Sequence, residues 1–113
     1  MDFQNFFLNM KIKLTKKKTI SEYIDILRKN YPYLKDQYKI NYFGIFGSFV
    51  RNEQKENSDL DLLISFEKTP TLFQFIRLEQ YLSNLLKIKV DLVMKDSLKP
   101  IIGKYILNEV VEI

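Results

Sequence analysis

Two apolar runs suited to strands, Ile40-Asn41-Tyr42-Phe43-Gly44-Ile45-Phe46 and the stretch from Leu60 to Phe66, are joined by a segment that leaves little freedom of folding. Gly47-Ser48 stops the first run, and Phe49-Val50-Arg51 begins a short helix. Residues 52–58 are wholly polar and read as an exposed loop. The chain then returns through Asp59-Leu60-Asp61 into the second run, so that Gly-Ser and Asp-x-Asp stand ten residues apart. Side chains two apart on a strand share a face, so Asp59 and Asp61 point one way and Leu60 and Leu62 the other. At ~6.6 Å between their Cα atoms, two bare carboxylates repel by roughly 1–3 kcal/mol. A divalent cation removes that repulsion and turns the pair into ligands.

Gly47-Ser48 supplies the complementary half. A glycine lets a nucleotide approach the backbone closely, and a serine where a strand becomes a helix offers its hydroxyl and free amides to phosphate oxygens. The return of the chain brings the aspartates opposite the serine. Asp91 lies in a third alternating run, Lys87-Ile88-Lys89-Val90-Asp91-Leu92-Val93, at a position where core packing would not place a carboxylate. If that strand neighbours the second, Asp91 joins the same cluster and can take up the proton of an attacking hydroxyl. Arg51 either binds phosphate or forms a salt bridge to Glu53 or to an aspartate. Each piece alone has a plainer use: Gly-Ser as a cap, Asp-x-Asp as a turn, a strand aspartate at an edge. Their order and spacing together point to a site.

Composition narrows the chemistry. The chain has no histidine, which removes a Ser-His-Asp triad, and no cysteine, which removes disulfides and thiolate metal sites and fits a reducing cytoplasm. Any metal is held by oxygen, with Mg2+ ahead of Mn2+. An EF-hand is excluded, because residues 57–68 lack the central glycine and carry Leu63 and Ser65 at alternate positions. The net charge of +4 owes much to Lys11, Lys13, Lys16, Lys17 and Lys18. Such a run contacts nucleic acid or an acidic partner, or more often is a solvated flank; the near balance of the remainder argues against a dedicated nucleic-acid binder.

At 113 residues and 46% apolar content, one domain is expected. No apolar stretch approaches the ~18 residues that span a bilayer, so no membrane association is expected. Residues 1–18 read as an aromatic and basic arm or extension, without the order of charge and apolar residues of a signal peptide; Met10 is an alternative start. Residues 19–113 read as the domain. Thr19-Ile20-Ser21-Glu22 has capping-box form, opening a helix to about residue 29 that Tyr31-Pro32 ends, with a further short turn or helix over residues 33–38. Thr69-Pro70-Thr71 opens a long helix with Leu72, Phe75, Ile76, Leu78, Tyr81, Leu82, Leu85 and Leu86 on its apolar side. A last helix spans residues 97–108, with Pro100 near its start, and residues 110–113 pair as a terminal strand or dock. The fold class is α/β (α+β): a small mixed sheet flanked by about four helices.

The stretch Phe43-Gly44-Ile45-Phe46-Gly47-Ser48-Phe49-Val50-Arg51 through Ser58-Asp59-Leu60-Asp61-Leu62-Leu63-Ile64 resembles the minimal nucleotidyltransferases (MNT) of the DNA polymerase beta-like superfamily. The similarity continues through Val90-Asp91-Leu92-Val93 and Lys99-Pro100, covering about residues 20–113. The resemblance implies the antitoxin of a HEPN–MNT toxin–antitoxin pair, which transfers AMP from ATP to a tyrosine of a HEPN RNase toxin. It implies that Gly47 and Ser48 hold the triphosphate, that Asp59 and Asp61 bind Mg2+, and that Asp91 is the third carboxylate. Asn52 departs from the glycine that many relatives carry after the arginine, and asparagine tolerates the left-handed turn needed there. Two alternatives stand beside this reading. One is an antitoxin that acts by occluding its partner. The other is a small-molecule nucleotidyltransferase, whose usual second domain 113 residues leave no room for unless a partner chain supplies it.

Overall fold

The computed structural model describes residues 18–113. The arm expected over residues 1–18 lies outside the described residues, except for Lys18. The elements are α1 (Ile20–Tyr38), β1 (Ile40–Phe46), α2 (Ser48–Arg51), β2 (Leu60–Phe66), α3 (Leu72–Leu86), β3 (Val90–Met94), α4 (Pro100–Glu109) and β4 (Val111–Glu112), with one 3-10 turn at Lys95–Ser97. The four strands form one mixed sheet in the order β3-β2-β1-β4. β1 runs antiparallel to both β2 and β4, and β3 runs parallel to β2. The parallel pair follows from the crossover through α3, and the antiparallel pair from the shorter return through α2 and its loop.

The core lies on one face of this sheet. Phe43 and Ile45 from β1 pair with Ile64 and Leu62 from β2, and all four are buried. They pack against Tyr23, Leu27 and Leu34 of α1, Phe49 of α2, and Leu78, Leu82 and Leu86 of α3. The rings of Tyr23 and Phe49 meet edge to face at 5.5 Å between centroids, which ties α1 to the short helix. Asp61, Leu63 and Ser65 alternate onto the other face of β2.

β1 and β2 occupy the residues expected of them. The first helix does not. It runs unbroken from Ile20 to Tyr38 with Pro32 inside it, where a break at Tyr31-Pro32 is expected. Leu34 is fully buried in line with Tyr23 and Leu27, so packing of that stripe outweighs the hydrogen bond that Pro32 forfeits on the exposed side. Thr19 caps the helix, accepting from Glu22 N–H at 3.4 Å. α3 opens with a reciprocal capping box, Thr71 Oγ1 from Gln74 N–H at 3.2 Å and Gln74 Oε1 from Thr71 N–H at 2.9 Å.

On α3 the expected apolar side is too wide. Leu78, Leu82 and Leu86 are buried, whereas Leu72 and Ile76 are exposed along with Phe73, because the first turns of the helix run past the edge of the core. β3 starts at Val90, later than the alternation suggests, since Lys87 is the left-handed C-cap of α3 at φ 58. The last helix begins at Pro100, where a missing N–H costs nothing. Within residues 110–113, Val111–Glu112 pair as a strand and Ile113 N–H bonds to Phe43 O at 2.8 Å, while Val110 caps α4. Among the described residues no helix is long and apolar enough to cross a membrane.

Candidate active site

The C-terminal end of β1 meets the N-terminal ends of β2 and β3 at one end of the sheet, and the sequence-expected residues gather there. Gly47 leaves β1 at φ 83 and ψ −153, a conformation open to glycine. A Cβ at this position would lie 2.1 Å from Asp61 Oδ2. The missing side chain is what lets the turn lie against that carboxylate. Gly47 O accepts from the N–H groups of Val50 and Arg51 at 3.0 and 3.2 Å, and Asn52 ends the turn at φ 58 with its N–H on Ser48 O. Asparagine thus carries the left-handed position as expected. Helix α2 is a single turn, so its macrodipole is small. Phosphate binding at this turn rests on individual groups, and the Ser48 hydroxyl has no hydrogen-bond partner among the described residues.

Asp61 stands in register with Asp91 across the parallel β2–β3 pair. Such neighbours lie about 4.8 Å apart with side chains on the same face. Asp61 is half-buried, and no hydrogen bond or ion pair with a described residue engages the carboxylate of Asp61 or of Asp91. Burial, then the charge of Asp91, then that of Asp59 push the Asp61 carboxyl up to about 6, against the opposing pull of Arg51. Asp59 precedes the strand and turns toward Lys89 Nζ at 3.8 Å, an exposed pair of small energetic weight.

Two side chains of α3 hold β3 in place. Ser83 Oγ accepts from Val90 N–H and Glu79 Oε2 from Leu92 N–H, each at 3.1 Å. They flank Asp91 and satisfy the outer edge of the sheet. Neither stands out in the sequence, because both fall among the polar positions of an amphipathic helix.

Arg51 pairs with two glutamates: Nε with Glu53 Oε2 at 3.0 Å, and Nη1 with Glu109 Oε1 and Oε2, both at 3.0 Å. The expected alternative of an aspartate partner gives way to Glu109. Nη2 has no partner among the described residues and remains free for an anion. Glu109 carries no local signal in the sequence; its part depends on the pairing of β4 with β1.

The donor set suits a hard divalent cation: carboxylate oxygens with no nitrogen or sulfur ligand, the central one half-buried, without a donor, and raised in pKa by burial first and its neighbours' charge second. As they stand, no three acidic groups among the described residues are gathered into a ligand set. A groove of about 430 Å3 lined by Tyr33, Lys39, Lys68, Thr71 and Arg77 lies at the opposite end of β2 and contains none of these residues. Charge and register, rather than concavity, mark the site.

Residues 28–113 match the family described as polymerase beta, nucleotidyltransferase. The chain is 48% identical to the protein adenylyltransferase MntA of Thermococcus cleftensis over 93 residues, which is 82% of this chain and 94% of that protein. A solved structure assigned as a minimal nucleotidyltransferase superposes with a TM-score of 0.69 at 34% identity, covering 81% of this chain and 94% of the other. A toxin–antitoxin complex crystallised with AMP-PNP contains a chain that matches with a TM-score of 0.60 at 27% identity, covering 79% of this chain and 67% of that one. The architecture of a mixed four-stranded sheet with four helices and the extent of these matches agree: the chain belongs to the polymerase beta nucleotidyltransferase family, among its minimal members, the protein adenylyltransferases.

Proposed function

We propose that the chain transfers AMP from ATP to a tyrosine hydroxyl of a HEPN-type toxin partner and thereby silences it. The observation that carries the reading is the in-register pair Asp61–Asp91 with the Gly47 turn lying directly against Asp61. The 48% identity to a protein adenylyltransferase supports the acceptor being a protein, and the likeness to a toxin–antitoxin complex with AMP-PNP supports an ATP-like donor and a toxin partner.

The residues divide the work. Ser48 and the turn after Gly47 hold the triphosphate, with Arg51 Nη2 toward its oxygens. Asp59, Asp61 and Asp91 hold Mg2+, with Mn2+ as a substitute. Bound there, the ion neutralises charge on the phosphoryl oxygens and lowers the pKa of the attacking hydroxyl. The tyrosine oxygen forms a bond to the α-phosphorus as the bond from that phosphorus to the bridging oxygen breaks. Pyrophosphate departs with the electron pair, and the phenolic proton passes to a carboxylate oxygen of Asp91. In-line positioning and charge neutralisation suffice, which accords with a site that has no histidine.

The test is the mass of the partner after incubation with the chain, ATP and Mg2+. Increments of about 329 Da per transfer are expected on a tyrosine, and none when both Asp59→Asn and Asp61→Asn are present. Increments that survive the double substitution rule out the carboxylate assignment. A second reading has one observation in its favour. Leu72 and Phe73 on α3, and Ile101 and Tyr105 on α4, are each more than 70% exposed, as suits a protein-binding face. On that reading binding alone silences the partner, and the doubly substituted chain still protects.

A further inference from the structure

Glu109 ends α4, and its side chain is only 23% exposed. Its carboxylate accepts three hydrogen bonds: one from Gly47 N–H at 2.8 Å and two from Arg51 Nη1 at 3.0 Å. The direction of the first is set by the sheet. Successive residues of a strand send their N–H groups to opposite edges. Phe43 faces β4, since its carbonyl takes Ile113 N–H, so Ile45 and Gly47 face β4 as well. Phe46, between them, faces Asp61 on β2. The β1–β4 register of Gly44 with Glu112 and Ile45 with Val111, continued by two residues, sets Glu109 opposite Gly47. The chain there is already helical and departs from the strand path, and the Glu109 side chain is the acceptor that Gly47 N–H finds.

Resting on the nucleotide site proposed above, we infer that Glu109 is a positioning residue for it. One carboxylate fixes both the Gly47–Ser48 turn and the Arg51 guanidinium, and it does so from the β4 edge, near enough to Asp61 for its charge to help raise that carboxyl. Gly47 N–H is therefore committed to Glu109 and not to phosphate. The nucleotide contacts of this turn fall to Ser48 and to the remaining donor of Arg51. A charged acceptor suits both partners, because charge-assisted hydrogen bonds are the stronger kind and a single carboxylate can hold two.

The alternative is that Glu109 imitates a phosphate and must leave before ATP binds. The two differ in sign. If Glu109 positions the turn, Glu109→Ala raises the KM for ATP about tenfold and changes kcat less than about threefold. Glu109→Gln, which keeps an acceptor for Gly47 N–H, recovers a large part of the loss. Binding of Mg2+ and a non-hydrolysable ATP analogue to the full chain, followed by calorimetry, should weaken in the same order. An unchanged or lowered KM in a folded Glu109→Ala chain overturns the inference. If that chain does not fold, Glu109→Gln decides, with a rise in KM of about two- to fivefold expected and no rise overturning it. A wild-type chain that neither binds the analogue nor transfers AMP overturns the proposed function together with this role. Normal wild-type binding with indifferent variants overturns this role alone.

Discussion

Asp61 is held in a state that folding alone would not choose. Its carboxyl has a value of 3.8 when unperturbed and about 6 in the fold, so the folded chain binds that proton more tightly than the unfolded one. Stability therefore falls as pH rises from about 4 to about 6, and the penalty is fully present above that range. Removing the charge should release it. At pH 7 the Asp61→Asn chain is expected to melt above wild type, while near pH 4 the two should converge; calorimetric melting curves across that range check this. A variant that melts below wild type at pH 7 would contradict the electrostatic account of the site. The same substitution is expected to abolish transfer, a trade of function for stability that befits a group placed for chemistry. The strand positions of Asp61 and Asp91 were legible from the sequence pattern, whereas Asp59 precedes β2 and turns to Lys89. The facing of Asp61 and Asp91 was conditional on strand order, which no local pattern reveals. Glu109 was not legible at all, since its partners lie 62 and 58 residues away.

Among the elements, those bounded by strong local signals coincide with expectation, and those governed by packing do not. β1 ends at Gly47 and β2 follows a polar loop, so both could be read to the residue. Pro32 gave an equally strong local signal and was overruled, because ending α1 there would have taken Leu34 out of the core. The helix keeps that burial at the cost of a hydrogen bond from residue 32 to the carbonyl of Arg28. Pro32→Ala should restore the bond on an exposed surface and raise stability by about 1–3 kcal/mol, read from the urea midpoint. No gain would mean that the helix bends at this point to reach its packing and that straightening it offsets the bond. The exposed start of α3 is the reverse case. Its periodicity is continuous, but only from Phe75 onward does the helix lie over the sheet. Periodicity reports that a face is apolar, not what covers it.

At the scale of the whole molecule the division of labour is by sheet face and sheet end. α1, α2 and α3 pack on one face and supply the core. The aspartates alternate onto the other face, at the end where the Gly-Ser turn and the close of α4 converge. Asp91 is exposed, as the proposed attack by a hydroxyl of a separate protein requires. The fold class could be read in advance from the alternation of strand and helix signals; the burial of Leu63 on the same face as Asp61 could not. The central claim is that catalysis by these aspartates, and not contact alone, silences the partner. It is tested most directly by the RNase activity of the cognate HEPN protein after incubation with ATP, Mg2+ and either the wild-type chain or the chain carrying Asp59→Asn and Asp61→Asn. The account predicts loss of RNase activity with wild type and full activity after the doubly substituted chain is removed. Equal and lasting inhibition by both would contradict it.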